Sequence, residues 1–115
     1  MKTFIVTLAC LSFLLCSVIA YAHPPTDIII TFDLATKMVK AVIVHPVSNP
    51  QGHFIKKVDV GLNGKEVIEQ QISRQDTATE QTVCYLVPDA KPGDTISVEG
   101  YCSISGTLKK EIKVE

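Results

Sequence analysis

Three histidines and one cysteine are the residues of this 115-residue chain best suited to chemistry: His23, His45, His53 and Cys102. They stand in the segments AHPP (22–25), HPVSNPQGH (45–53) and YCSISG (101–106). Neutral imidazole nitrogens and a thiolate are donors that iron, zinc and copper take from proteins. Two of the three histidines bracket a loop that carries two prolines and a glycine. Such a loop is stiff and can hold two rings near one point. The plain alternative is a pair of exposed loop histidines and a small buried thiol, the usual role of a free cysteine. No other pattern suggests catalysis. The serines lack a histidine at motif spacing, no Gly-rich loop precedes a helix, and the carboxylates are scattered along strands.

The elements that must position these residues begin after a leader. Met1-Lys2 is a short basic start, Phe4 to Ala20 is an uncharged, mostly apolar run, and Ala20-Tyr21-Ala22 is a small-x-small pattern. This reads as a secretory signal peptide over 1–22, with the mature domain at 23–115. Export to a periplasmic or extracellular space follows, with a membrane anchor as the alternative if the run stays uncleaved. Lipidation at Cys10 or Cys16 fits poorly, because TLA and FLL precede them. Cleavage after Ala22 would make His23 the N-terminal residue, with a free amine beside its imidazole. The opposing expectation is a frayed terminus.

The mature chain reads as strands throughout. DIIITFD (27–33), MVKAVIV (38–44), FIKKVDV (54–60), EVIEQQI (66–72), TVCYLV (82–87), TISVEGYC (95–102) and TLKKEIKV (107–114) are rich in β-branched residues or alternate apolar with polar. Turn signals fall between them, with Asn63-Gly64 the strongest short hairpin signal. The polar stretch SRQDTATE (73–80) is a loop. This spacing predicts an all-β fold, a single immunoglobulin-like antiparallel β-sandwich of about seven strands. The Cys…Trp…Cys pattern of antibody domains is missing, since the chain has no tryptophan.

Two cysteines, Cys84 and Cys102, remain in the mature part, and in an oxidising compartment they suggest a disulfide. A symmetric hairpin of 82–87 with 95–102 around PDAKPGD (88–94) would pair Cys84 with about Val98. Cys102 would then lie roughly 13 Å further along at ~3.3 Å per residue. A bridge needs α-carbons within about 7 Å. The disulfide therefore stays open, with the hairpin against it. The formal net charge of −1 becomes one unit more negative once Lys2 leaves with the leader. No basic patch with interleaved aromatics is present, so nucleic-acid binding has no support.

HPVSNPQGHFIKKVDVGLNGKEV (45–67) followed by ISVEGYCSISG (96–106) resembles the ferrous iron-binding domain of desulfoferrodoxin and neelaredoxin, the superoxide reductases. In that family one histidine opens an H-P-M segment and a second an H-Y-I-x-W-I run. A cysteine and a histidine close the site in C-N-x-H-G, and a further histidine lies near the start of the domain. His45, His53 and Cys102 match in turn, and His23 matches the early histidine in spacing and in the proline after it. The resemblance implies a mononuclear iron centre with ligands His23, His45, His53 and Cys102, and one-electron reduction of superoxide to hydrogen peroxide with an unidentified electron donor. In the family, four imidazoles lie equatorial and one thiolate axial. Departures are specific: Ser105 stands where the last histidine would be, the loop from His45 to His53 is about two residues longer, and Tyr21-Ala22 replaces a Glu-Lys pair.

A set of three imidazoles and one thiolate also suits zinc or copper. The sequence therefore also admits a metal-binding or electron-transfer protein without turnover. A third reading is a non-metal interaction module of an exported complex, since HPV…NGKEV is similar to the small immunoglobulin-like subunits of sulfur-oxidation carriers. That module would pair through an exposed edge strand. A homo-oligomer is compatible with each reading.

Overall fold

Alternation with period two sends every other side chain to one face of a strand, and the fold follows from two such sheets closing on each other. A computed structural model describes residues 22–115. The signal peptide expected over 1–22 falls, except for Ala22, outside the described residues, and so do Cys10 and Cys16. Seven strands run in order: β1 (Asp27–Asp33), β2 (Met38–Val44), β3 (Ile55–Leu62), β4 (Lys65–Gln71), β5 (Glu80–Leu86), β6 (Thr95–Cys102) and β7 (Thr107–Lys113). They form an antiparallel β-sandwich of two sheets, β1-β2-β5 and β4-β3-β6-β7. This is the immunoglobulin-like arrangement with the fourth strand on the edge of the second sheet. Among the described residues, no helix is long and apolar enough to cross a membrane.

The core sits between the sheets. Ile28, Val39, Ala41, Ile43 and Val83 from one sheet meet Ile55, Val58, Val60, Ile96 and Val98 from the other, all buried. Ile30, Phe32, Leu108 and Ile112 close the sides. β4 buries little, and it runs along the edge of its sheet as a mostly exposed strand.

Local turn chemistry sets the registers. Asn63 and Gly64 both have positive φ, 52° and 83°, as a two-residue hairpin turn requires, and they join β3 to β4. Asp33 Oδ1 accepts from the amides of Ala35 and Thr36 at 2.9 and 3.3 Å, closing the β1–β2 turn.

One expected pairing is corrected. Strands 82–87 and 95–102 do not form a hairpin: β5 pairs with β2, and β6 lies in the other sheet between β3 and β7. The segment 88–94 therefore crosses the sandwich. Its prolines and the caps at Asp94, which accepts from the Lys91 amide at 3.0 Å and from Asn63 Nδ2 at 3.1 Å, suit a crossing rather than a tight turn. Cys84 and Cys102 are free thiols, one exposed and one buried. The connection from His45 to His53 likewise runs from one sheet to the other and is not a hairpin.

Candidate metal centre

Antiparallel register brings the four residues singled out by the sequence to one end of the sandwich. Asp27 at the start of β1 faces Val44 at the end of β2. Ile55 at the start of β3 faces Cys102 at the end of β6. His23 and His53 precede their strands, His45 follows its own, and Cys102 closes β6. Only His45 and His53 are close in sequence, and all four lie at or beside a strand terminus at the same edge.

Each side chain is held by its surroundings. His45 is fully buried. Its amide donates to Thr79 O at 2.9 Å, and the Val47 amide donates to Ala78 O at 2.7 Å, so the chain beyond β2 is tied to the 77–79 loop. His53 follows a tight turn in which Asn49 O accepts from the amides of Gly52 and His53 at 3.1 and 2.9 Å. Ser103 and Phe54 lock β6 to the approach of β3: the Ser103 amide donates to Phe54 O at 2.8 Å, and the Phe54 amide donates to Ser103 Oγ at 3.1 Å.

His23 is docked, not frayed. Its Nε2 lies 2.9 Å from Pro46 O and its Nδ1 2.9 Å from Pro24 O. Pro25 behind it is buried. Gly106 makes this docking sterically allowed. A side chain there would begin 2.9 Å from the Pro24 nitrogen and Cβ, and the glycine φ of +92° is one that other residues rarely adopt.

The three rings form a nearly equilateral triangle, with centres 4.7 Å (His23–His45), 4.8 Å (His45–His53) and 5.1 Å (His23–His53) apart. One ligand nitrogen from each lies within 4.8 Å of the other two. With metal–nitrogen bonds of about 2.0–2.1 Å and a ring centre roughly 1.1 Å beyond each nitrogen, two imidazoles about 95–105° apart on one ion have centres about 4.7–5.1 Å apart. The triangle thus suits three rings on one face of an ion. A pair across an ion would have centres about 6.3 Å apart by the same bond lengths, and no pair here is that far apart. The arrangement is facial, which differs from the equatorial plane expected from the resemblance.

Cys102 is 97% buried and its Sγ lies 3.1 Å from His53 Nε2, with the Ile104 amide 3.5 Å from the sulfur. The mutual 4.8 Å grouping comprises the three histidines and does not extend to Cys102. The thiol's contact with the triangle is the one to His53. Ser105, which stands where the family's last histidine would be, is exposed in the β6–β7 turn. Burial, then the charges of His45 and His23, hold the His53 imidazole below its ordinary pKa. That keeps a lone pair available for a metal.

Two features were not legible in the sequence. The first is Gln75, fully buried in what reads as a polar loop. Its Oε1 lies 2.8 Å from His45 Nδ1, its Nε2 donates to His45 O at 2.7 Å and to Thr77 O at 2.9 Å, and its amide donates to Pro50 O at 3.0 Å. No sequence signal separates it from Gln70 or Gln71. The second is a carboxylate group on the outer face of the second sheet, where Asp59, Glu66 and Glu69 lie within 4.8 Å of one another. Asp59 and Glu69 are direct cross-strand neighbours, a like-charge pairing that costs stability. The Asp59 charge pushes the Glu66 carboxyl above its usual range. Exposed carboxylates often gather in this way without an ion.

Comparison with known proteins returns no matching family model, no matching curated protein and no matching solved structure.

Proposed function

We propose that the protein is an exported mononuclear transition-metal protein, with His23, His45 and His53 as a facial set of imidazole ligands and Cys102 as the thiolate that completes the donor set. The near-equal separation of the three rings, at 4.7, 4.8 and 5.1 Å, carries this reading. Unliganded histidines rarely converge three at a time: each ring must be oriented, and like charges repel once protonated. Here a buried glutamine, a tight turn and a docked proline segment orient the three separately. The apolar leader supports export, and with it a compartment where metal is taken up outside the cytosol.

Iron is the ion to which the sequence resemblance points, and the residues fit it. Imidazole and thiolate donors suit ferrous iron, and a facial set leaves the opposite side open for a small ligand. Bound there, ferrous iron would supply one electron to superoxide, which with two protons from solvent leaves as hydrogen peroxide, and an external donor would return the electron. The protein's own contribution is to hold three rings in place, to place a buried sulfur against one of them, and to exclude water from the inner side of the site. Retention of a metal without turnover is the corresponding reading for zinc or copper, favoured by the facial rather than planar geometry.

The test is metal analysis of the purified full chain after anaerobic reconstitution with iron(II), zinc or copper(I), followed by a superoxide-consumption assay. One ion per chain is expected, lost or weakened about 100-fold or more in His45→Ala. Failure to retain any of the three ions would overturn the reading. Retention without superoxide consumption would leave the metal site and remove the reductase activity.

A further inference from the structure

We infer that Gln75 is the positioning residue of this centre: by fixing the ring tautomer of His45 it makes His45 Nε2 the metal-binding nitrogen. The inference rests on the metal reading above and assigns a role to a residue in the 73–80 loop, outside the ligand set.

The hydrogen-bond inventory leaves one arrangement. A glutamine amide has two N–H donors and one acceptor oxygen. Both donors of Gln75 are used, toward His45 O at 2.7 Å and Thr77 O at 2.9 Å, and carbonyls can only accept. Oε1 is therefore left to face His45 Nδ1 at 2.8 Å. A good contact there requires a hydrogen on Nδ1. In the neutral ring that leaves Nε2 bare, 3.1 Å from His23 O.

A second contact of the ring bears on the same nitrogen. His45 Nε2 lies 3.1 Å from His23 O. With the proton on Nδ1, both of these atoms are acceptors and no hydrogen stands between them. Two part-buried acceptors at that distance are unfavourable unless a positive charge sits beside them. A metal ion satisfies the nitrogen directly and the carbonyl through its field. In its absence the contact must loosen. Partners of this kind, which bind the outer nitrogen of a ligand histidine, commonly govern metal affinity by about 10–100-fold. Gln75 also ties the site together: its backbone amide holds Pro50 O in the His45–His53 loop while its side chain holds His45.

Two measurements test this. The first needs no mutation: ¹⁵N NMR of the metal-free wild-type protein reads which nitrogen of neutral His45 carries the proton. A proton on Nδ1 is expected, and a proton on Nε2 would overturn the inference even in a protein that binds no metal. The second compares Gln75→Leu with Gln75→Glu by zinc titration and by the absorption spectrum of the cobalt(II)-loaded protein. Gln75→Leu keeps the volume and removes the acceptor, so zinc affinity should fall about 10–100-fold. Gln75→Glu still accepts from Nδ1, so affinity should return to within a few-fold of wild type with a displaced cobalt(II) spectrum. A Gln75→Leu protein that binds zinc as tightly as wild type, with the same cobalt(II) spectrum, would sink the proposal while leaving the metal site intact. If Gln75→Leu does not fold, the tautomer measurement decides alone.

Discussion

His53 and Cys102, 49 residues apart in the chain, meet side chain to side chain, with the imidazole Nε2 3.1 Å from the thiol sulfur. The contact exists because β3 and β6 are antiparallel neighbours whose opposite ends coincide, Ile55 facing Cys102. The sulfur is almost without solvent and has the Ile104 amide as its other partner. A thiol in such surroundings is either a small buried hydrophobe or a metal donor.

Cys102→Ser separates these roles. The hydroxyl is smaller and harder than the sulfur, so the iron-loaded variant should keep its histidine-bound ion and lose its thiolate-to-metal absorption band. The spectrum of the iron(III) form checks it. A band absent already from the wild type would mean that Cys102 acts on His53 only, as a hydrogen-bond partner.

Gly106→Ala probes the docking of the N-terminal segment. The added carbon would begin 2.9 Å from the Pro24 nitrogen, at a φ of +92°. Backbone strain of this kind costs on the order of 1–3 kcal/mol, which lowers Tm by roughly 4–8 °C per kcal/mol in a domain of this size. Metal affinity should fall as well, because His23 precedes Pro24 directly. Calorimetric melts and a zinc titration of the same sample check both effects. A variant that melts early yet binds zinc as the wild type does would remove His23 from the ligand set.

The titration of His53 should be visibly low in the metal-free protein. Burial first, then His45 and His23, depress its pKa below 6.5. The unfolded chain then binds a proton before the native one as pH falls. The associated stability is therefore complete above about pH 6.5 and is lost as the pH drops toward the native pKa. NMR titration of the His53 ring should give a midpoint below 6.5. His45→Asn removes the second largest cause, so the midpoint should rise part of the way and remain below 6.5. A midpoint at or above 6.5 in the wild type would contradict the placement of His53 beside the other two rings.

The strands were legible because their signal is local. β1, β2 and β6 coincide with the expected 27–33, 38–44 and 95–102, and the other four lie within two residues of expectation at each end. Alternation and β-branched content are properties of a few neighbouring residues, and Asn63-Gly64 announces its own turn. The candidate ligands were legible for a related reason. Only three histidines exist, and each is flagged by a proline or glycine nearby. The expected β5–β6 hairpin does not form, because closeness in sequence does not dictate closeness in the sheet: β5 joins β2, with Val83 in the core.

By itself the sequence determined that this chain makes a seven-stranded sandwich and that its few soft-metal donors stand at strand ends. Those are consequences of residue type and short-range spacing. Only the tertiary structure decided which ends meet. Pairing β1 with β2 and β3 with β6 put four remote termini at one edge. It turned three rings into a facial triangle instead of a plane, set Cys102 against His53, and delivered Gln75 from a polar loop to the buried side of His45. The reason is that sheet pairing and burial are non-local: a glutamine becomes a determinant of the site only when the fold removes its alternative partners in water.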